Sequence, residues 1–188
     1  MAAPVGIDRD AVLDAGVAVL EREGRVDAVS LRPIAESLGI RVQSIYAHVD
    51  GVDGLRRGLA LRGLDALADT LTDAAVGRSG AEAVAAIVRA YCAFAIEHPG
   101  LFDATLTPPG GDGELEAAMA RVTRPLNLVF ASCGIEGEDA VHWYRIVFSG
   151  VYGFAVMQRD GRLTLGPDPD VTLERMIDAF VAQLGLCS

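Results

Sequence analysis

The sequence predicts an all-α protein of about nine helices, because three features of the chain agree. Apolar residues recur at intervals of three and four along most of its length. No sustained run alternates apolar and polar residues as a half-buried strand does. Glycine and proline clusters interrupt the helical pattern, and the runs between them have helical length. The predicted order is three short helices followed by a larger helical region.

The composition is that of an ordinary soluble globular protein. The 188 residues are 51% hydrophobic and 22% charged, with a formal net charge of −10. The 3 cysteines, Cys92, Cys133 and Cys187, lack the spacing of a zinc site or a disulfide scaffold, which fits a reducing cytoplasm. No leader or long charge-free window occurs, so neither secretion nor contact with a membrane is expected. The acid excess means that any nucleic-acid contact must be local.

The first two helices are predicted from apolar spacing and from their ends. Val12 begins a series of apolar residues on one helical face, and Gly24 ends that helix. The second helix lies in "SLRPIAESLG" and is barely two turns long. Ser30 is its predicted N-cap, and Pro33 is tolerated in the first turn, where an N–H has no intrahelical acceptor to lose. Gly39 supplies the left-handed residue that ends it.

The third helix is very short, with Ile45 and Val49 on its buried side. Three short helices with a tight turn between the last two are typical of a helix-turn-helix unit. With that side buried, the other residues of the segment face outward or lie at the rim, and they include a guanidinium, a carboxamide and hydroxyl groups. These residues are Arg41, Val42, Gln43, Ser44, Tyr46, Ala47 and His48. Such groups suit the base edges and phosphates of a major groove. An ordinary solvated surface helix explains the same pattern about equally well.

Residues 8–55 resemble the amino-terminal DNA-binding domain of the TetR family of transcriptional regulators. The resemblance rests on "AVLDAGVAVLEREG" for the first helix, "SLRPIAESLGI" for the second, and "SIYAHVDGVDGL" for the recognition helix and the entry to the next. It implies a helix-turn-helix DNA-binding domain over residues 1–53. A helical ligand-binding and dimerisation domain is implied over residues 54–188.

The resemblance also implies which side chains contact operator DNA. Bases are read by Arg41, Val42 and Gln43, the phosphate backbone is held by Ser44, Tyr46 and His48, and a phosphate or an edge base is reached by Arg32. Two positions depart from the family pattern: Arg41 replaces a small capping residue, and Val52 replaces a phosphate-binding lysine. Arg56 and Arg57 either compensate for that lysine or form a solvated helix face. For His48, the alternative to a phosphate contact is the role of a structural surface histidine.

Beyond Leu55 the sequence predicts longer helices separated by turns. A linking helix in "GLRRGLALRGLDALADTLTDAAV" ends near Gly77, and "AEAVAAIVRAYCAFAIE" is closed by Pro99. A short apolar piece, "LFDATL", leads to a surface loop in "TPPGGDGE". The next helix, "ELEAAMARVTRPLNLVFASCG", is expected to be kinked or interrupted at Pro125. The last two helices lie in "EDAVHWYRIVFSGVYGFAVMQRDG" and "VTLERMIDAFVAQLGL".

These last two helices predict a homodimer. Paired with a second copy, they form a four-helix bundle that buries apolar stripes. The segment "IVFSGVYGFAVMQ" resembles a carboxy-terminal regulatory type of the TetR family, with Phe148, Tyr152 and Gly153 at its aromatic, histidine and glycine positions. A twofold dimer places two recognition helices about 34–36 Å apart on a palindrome. The resemblance implies repression, with an effector changing that separation through the fourth helix.

The middle helices supply candidate residues for a small-molecule effector cavity. Their aromatic and flexible apolar side chains suit a mostly apolar ligand with one or two hydrogen-bonding groups. The candidates are Tyr91, Phe94, Phe102, Leu106, Met119, Trp143, Tyr144, Phe148 and Tyr152. Plain core packing is the more common role for any one of them.

Two other classes of function remain to be compared with an operator-binding regulator. An enzyme has little support, because Ser149 lies in no nucleophile elbow and neither a nucleotide fingerprint nor a pair of metal-binding histidines is present. No catalytic residue, metal or cofactor is therefore expected. A helical adaptor or ligand-binding protein that has lost DNA binding is the alternative, since the first fifty residues carry five Arg against eight Asp and Glu. The expected partners are double-stranded operator DNA, a small-molecule effector and a second copy of the chain.

Overall fold

The computed structural model describes residues 7–185, which form nine α-helices and a short 3-10 turn at Val26–Ala28, with no strand among them. The predicted all-α class is confirmed. No helix in this range combines the length and the apolar character needed to cross a bilayer. The helices are α1 (Arg9–Glu23), α2 (Leu31–Leu38), α3 (Val42–Ile45), α4 (Gly51–Ala75), α5 (Gly80–Glu97), α6 (Pro99–Ala104), α7 (Gly113–Ser132), α8 (Gly137–Arg159) and α9 (Pro169–Leu184).

The chain divides into two compact units. The amino-terminal unit contains the described residues up to Leu64 together with His98–Leu115. The carboxy-terminal unit contains Asp65–Glu97 and the described residues from Glu116 onward. The first half of α4 and all of α6 belong to the amino-terminal unit, and the functional domain boundary after residue 53 stays a prediction. Helix α4 thus contributes to both units.

The ends of α1 and α2 follow from capping chemistry. The Asp8 side chain accepts a hydrogen bond from the Ala11 N–H at 2.8 Å and begins α1. Gly24 and Gly39 end the two helices in the left-handed conformation, with φ of 69° and 66°, as predicted. Ser30 occupies the predicted N-cap position of α2, but its side chain makes no capping hydrogen bond.

Helix α6 is fastened to α1 by close backbone approach and one carboxylate, and to the 3-10 turn after α1 by a second carboxylate. The Glu21 carboxylate accepts hydrogen bonds from the N–H groups of Gly100 and Leu101, both at 3.1 Å. Asp103 of α6 accepts a hydrogen bond from the Val26 N–H at 2.9 Å. A Cβ atom on Gly100 would collide with the backbone of α1. These contacts explain why α6 belongs to the unit that contains α1.

The carboxy-terminal unit is built on contacts of α5 with α8 and α9 and of α8 with α9. Arg89 and Glu174 join α5 to α9 through two hydrogen bonds of 2.7 and 2.5 Å. Gly150 allows close packing of α8 on α9, since a Cβ atom there would lie 2.9 Å from the Phe180 ring. A Cβ atom on Gly153 would have no neighbour within 4 Å.

Helix α7 passes through Pro125 without interruption. Proline has no N–H to donate to the carbonyl four residues earlier, so an interruption or kink was the expected result. The helical assignment nevertheless runs from Gly113 to Ser132, and Pro125 is buried. Of the two expected outcomes, an interruption at Pro125 is therefore not observed, and a kink there stays a prediction.

The close contact of α6 with α1 predicts a large effect of a single methyl group. We expect Gly100→Ala to lower the free energy of unfolding by about 1–3 kcal/mol, because the added Cβ meets backbone atoms that have little freedom to move. Chemical denaturation followed by circular dichroism measures this change. Gly113→Ala is the matched control, since no atom lies within 4 Å of its added Cβ. Equal stability of the two variants would contradict the close packing of α6 on α1.

Candidate functional site

Residues 41–49, the recognition segment, are anchored by two buried aliphatic side chains. Ile45 and Val49 are 0% and 6% exposed and belong to the core of the amino-terminal unit, as predicted. The α-helical part of this segment ends at Ile45, but the N–H groups of His48 and Val49 donate to the Ile45 carbonyl at 2.9 and 3.1 Å. Helical turns therefore continue to Val49 and fix the direction of the outward residues.

Most side chains predicted to contact DNA from this segment face solvent. Arg41, Gln43 and Ser44 are exposed, and Tyr46 is 60% exposed, which is unusual for so large a ring. Val42 is only partly exposed and packs against the core cluster. His48, near the end of this segment, is half-buried. The structure thus presents a continuous polar and aromatic surface around α3.

Arg32, on α2, is exposed and engaged by its own helix. Its Nε donates to Glu36 Oε1 at 2.8 Å in an i,i+4 pair, which raises the pKa of Arg32. Both side chains are largely exposed, and such pairs contribute little to stability. The Arg32 guanidinium can therefore exchange Glu36 for another anion at small cost.

The two departures from the TetR family pattern have clear structural counterparts. Arg41 occupies the N-cap position of α3, and its side chain makes no capping hydrogen bond. Val52 packs partly against the core cluster of the amino-terminal unit. Neither position supplies the group that the family pattern has there.

Arg56 and Arg57 are held within the amino-terminal unit. Arg56 Nη2 donates to the Asp27 carbonyl at 2.6 Å. Arg57 binds the Asp112 carboxylate with Nε and Nη2, and its Nη2 also lies 2.6 Å from Glu114 Oε2. The hydrogen bonds from Arg57 lower the pKa of Asp112 to about 2. These contacts correspond to neither expectation, a replacement for the missing lysine or a solvated helix face.

Four aromatic side chains form a cluster in the carboxy-terminal unit. The Phe148 ring stacks on Tyr144 and Tyr152, with centroids 5.5 and 6.0 Å away. Tyr91 meets Phe148 edge to face at 5.9 Å. The cluster borders a cavity of about 40 Å³, the tyrosine cavity, lined by Leu71, Ile87, Val88, Tyr91, Val122, Leu126, Tyr144, Val147, Phe148 and Val151. That volume suits one or two water molecules, so a larger ligand requires side chains to move.

The side chains that line the tyrosine cavity are uncharged at neutral pH. Burial raises the pKa of Tyr144 to about 12 and raises the pKa of Tyr91 as well, so both phenols keep their protons at neutral pH. No charged side chain is among the lining residues. No group of three potential metal ligands occurs in the part of the chain that the structure describes.

The remaining residues predicted for an effector site lie elsewhere. Phe94 is buried on α5, and Met119 and Trp143 are half-buried on α7 and α8, but none of these three lines the tyrosine cavity. Phe102 and Leu106 belong to the amino-terminal unit, Phe102 being fully buried. The sequence reasoning missed the aliphatic lining because, apart from Leu106 and Met119, it selected aromatic residues. A signal was present, since Ile87 and Val88 share a helical face with Tyr91.

Helices α8 and α9 carry exposed apolar side chains. Val141, Ile146 and Met157 on α8 and Val171 on α9 are each between 42% and 52% exposed. Gly153 adds a position on α8 with open space around it. Exposed apolar side chains on two neighbouring helices are a feature of interaction sites when they lie together.

Relatives of known sequence match most of the chain. A family model described as "Tetracyclin repressor-like, C-terminal domain" matches residues 84–180. An uncharacterized HTH-type transcriptional regulator of Mycobacterium tuberculosis is 32% identical over 163 residues, which are 86% of this chain and 74% of that protein. Another from Bacillus subtilis is 30% identical over 158 residues, covering 84% of this chain and 82% of that protein.

Solved structures share the fold along nearly the whole chain. A protein of unknown function from Rhodococcus sp. RHA1 superposes with a TM-score of 0.80 at 26% identity, covering 100% of both chains. ActR, a TetR family protein of Streptomyces coelicolor in complex with (S)-DNPA, superposes with a TM-score of 0.66 at 22% identity, covering 97% of this chain and 98% of that chain.

The Arg57 contacts predict a pH-dependent effect on stability. The lowered pKa of Asp112 means that its ion pair stabilises the fold above the ordinary pKa of 3.8, and that this contribution is lost as pH falls toward 2. We expect Asp112→Asn to lower the thermal midpoint at neutral pH, with a difference from the parent that shrinks between about pH 4 and pH 2. Asparagine keeps an oxygen for the Glu114 N–H, now bonded to Asp112 at 3.0 Å, so the substitution mainly removes charge.

Scanning calorimetry across this pH range measures the difference. Asp69→Asn is the control, because Asp69 is an exposed carboxylate on α4 for which no ion pair with a described residue is seen. A difference for Asp112→Asn that stays constant from pH 7 to pH 3, on the order of the neutral-pH value, would contradict the electrostatic origin.

Proposed function

This chain belongs to the TetR family of helix-turn-helix transcriptional regulators, and we propose that it is a repressor that binds palindromic operator DNA as a homodimer. A small, mostly apolar effector bound by the carboxy-terminal unit relieves that binding. The observation that carries the proposal is the surface of α3, where Ile45 and Val49 are buried and the polar side chains between and beside them face solvent.

Base reading is assigned to the outward side chains at the start of α3. Arg41 and Gln43 are exposed, and neither side chain is hydrogen-bonded to another described residue. A free guanidinium can bind guanine O6 and N7, and a free carboxamide can bind adenine N6 and N7. Val42 offers a partly exposed methyl surface to a thymine methyl group.

Backbone contacts are assigned to the flank of the segment and to α2. The hydroxyls of Ser44 and Tyr46 and the imidazole of His48 donate to phosphate oxygens, and Arg32 reaches a phosphate once it leaves Glu36. A dimer making about 6–10 such contacts binds DNA with a steep dependence on salt. This local pattern offsets the acidic balance of the first fifty residues, which is five Arg against eight Asp and Glu.

The homodimer is proposed to form through α8 and α9. Their exposed apolar side chains would be buried in a four-helix bundle with the same helices of a second copy. A twofold interface of this kind buries identical stripes on both subunits. It would also set the distance between the two copies of α3.

The effector is proposed to enter the tyrosine cavity. The lining is apolar apart from the phenols of Tyr91 and Tyr144, which suits a neutral ligand with one or two hydrogen-bonding groups. Leu71 of α4 is part of this lining, and the same helix begins at Gly51, directly after the recognition segment. A ligand that binds one position of α4 better than another would thereby shift the DNA-binding equilibrium. The fold relative ActR was solved with a small molecule bound.

No enzymatic activity is proposed, since the TetR family is a family of regulators. A protein that acts on chromosomal operators works in the cytoplasm, and we place this one there. The second candidate function is a helical adaptor that has lost DNA binding, which the acidic balance of the first fifty residues favours.

Selection of binding sites from random duplexes with the purified protein tests the proposal. The regulator enriches a palindrome that is shifted at moderate salt. The adaptor enriches no sequence and shifts no duplex even at low salt. A selected site without twofold symmetry would contradict binding as a homodimer.

Two substitutions separate base reading from backbone binding. We expect Gln43→Ala to relax the preference at one base pair per half-site by about 1–3 kcal/mol, because the carboxamide contacts a base edge. Tyr46→Phe should weaken binding to all sequences alike, because the lost hydroxyl contacts phosphate. Fluorescence anisotropy on the selected site and on its single-base variants measures both effects. Uniform losses for both substitutions would contradict the assigned roles.

The dimer interface is tested by placing charge on α8. We expect Ile146→Glu to convert the protein to a monomer at micromolar concentration while its helix content is retained, because a desolvated carboxylate opposes burial of the stripe. Light scattering coupled to size-exclusion chromatography measures the mass. Val76→Glu introduces the same charge at an exposed valine directly after α4 and should leave the mass unchanged. A dimeric Ile146→Glu protein would contradict the proposed interface.

A further inference from the structure

We propose that the carboxy-terminal unit carries a second ligand site, which binds an organic anion with an aliphatic body. The site is a groove of about 540 Å³, the arginine groove, formed by the end of α4, the turn that follows it and α7. Its lining residues are Thr72, Ala75, Val76, Arg78, Ser79, Arg124, Pro125, Leu128, Val129 and Ser132. The volume lies within the range of small-molecule sites, whereas the tyrosine cavity is more than ten-fold smaller.

The apolar part of the arginine groove suits an alkyl chain. Leu128 and Val76 are 58% and 68% exposed, so a bound hydrocarbon would cover surface that water now contacts. The other apolar lining residues are alanine, valine and proline, and no aromatic side chain is present. Without a ring to stack against, an aromatic ligand has no advantage over an aliphatic one.

The charged part of the groove selects an anion. Arg124 is exposed and makes no ion pair or hydrogen bond with a side chain that the structure describes, and no carboxylate lines the groove. Arg121, three residues earlier on α7, is neutralised by Asp65 of α4. The chain as a whole is acidic, with a formal charge of −10. An arginine without a described ion-pair partner, next to apolar lining residues, therefore distinguishes this groove from the rest of the surface.

Arg78 also lines the arginine groove, but its guanidinium is partly engaged by other groups of the protein. Its Nε lies 3.4 Å from Glu82 Oε1, and its Nη1 donates to the Ala74 carbonyl at 2.9 Å. The hydroxyls of Thr72 and Ser132 already donate to carbonyls of their own helices, at 2.7 Å each. The carboxylate of a ligand therefore depends chiefly on Arg124.

The arginine groove is distinct from the tyrosine cavity. On α4, Leu71 lines the cavity and Thr72 lines the groove. On α7, Leu126 lines the cavity and Pro125 lines the groove. Consecutive helical residues point about 100° apart, so the two sites use different faces of α4 and α7. A ligand in the groove contacts α4 and α7, two of the four helices that border the cavity. The proposal does not depend on DNA binding, and either can fail without the other.

Calorimetric titration of the full chain with octanoate and octanamide tests the proposal at neutral pH. The two probes share an alkyl chain and differ in charge. We expect octanoate to bind and octanamide to bind at least about ten-fold more weakly, because only the carboxylate forms a charge-assisted pair with the guanidinium. Failure of octanoate to bind, or equal binding of the two probes, would overturn the proposal.

Substitutions locate the bound octanoate. Arg124→Gln should weaken octanoate binding by about ten-fold or more while the thermal midpoint is unchanged, because the side chain has no hydrogen-bond or ion-pair partner among residues 7–185. Arg25→Gln is the control of equal charge change, at an exposed arginine in the amino-terminal unit. Leu128→Ser should also weaken octanoate binding. Unchanged affinity in Arg124→Gln, or an altered oligomeric state in Leu128→Ser that reveals a second copy over the groove, would overturn the assignment.

Discussion

The burial of Ile45 and Val49 is the constraint on which the proposed DNA-binding surface depends. Helix α3 has four residues, far fewer than an isolated helix needs to persist in water. Its geometry is therefore set by two aliphatic side chains packed into the core of the amino-terminal unit. Once they are buried, the period of the helix leaves Gln43 and Tyr46 facing solvent. The same packing that stabilises the unit thus determines which chemistry it presents.

The amino-terminal unit is larger than its three short helices because α6 is fastened to it. Glu21 on α1 binds N–H groups at the start of α6, and Gly100 allows the two backbones to approach closely. Gly24 and Gly39 predict where α1 and α2 stop. The periodicity of the sequence predicts that α1 is a helix, but it gives the region of α6 only as a short apolar piece. It does not predict which unit α6 joins, because the joining contacts link residues about eighty positions apart in sequence. Phe102 and Leu106 were grouped with the middle helices for that reason.

The candidate sites show the same division between local and long-range information. Outward and inward residues of α3 follow from helical phase alone. The contacts of Arg57 do not follow from helical phase, since its partners Asp112 and Glu114 lie at the end of a glycine and proline loop and the start of α7, far along the chain. In the carboxy-terminal unit, aromatic residues identify Tyr91, Tyr144 and Phe148, but the aliphatic side chains opposite them depend on how α4 and α7 pack. The sequence does not single out Arg124, because the absence of a carboxylate among the described residues that line its groove follows only from the folded structure.

Hydroxyl-radical footprinting of the selected duplex tests the central claim most directly, namely that two copies of α3 lie in successive major grooves on one face of DNA. The account predicts two protected clusters on that face, related by a twofold axis, with centres about 34–36 Å apart. A single protected cluster, or continuous protection without this spacing, would contradict it.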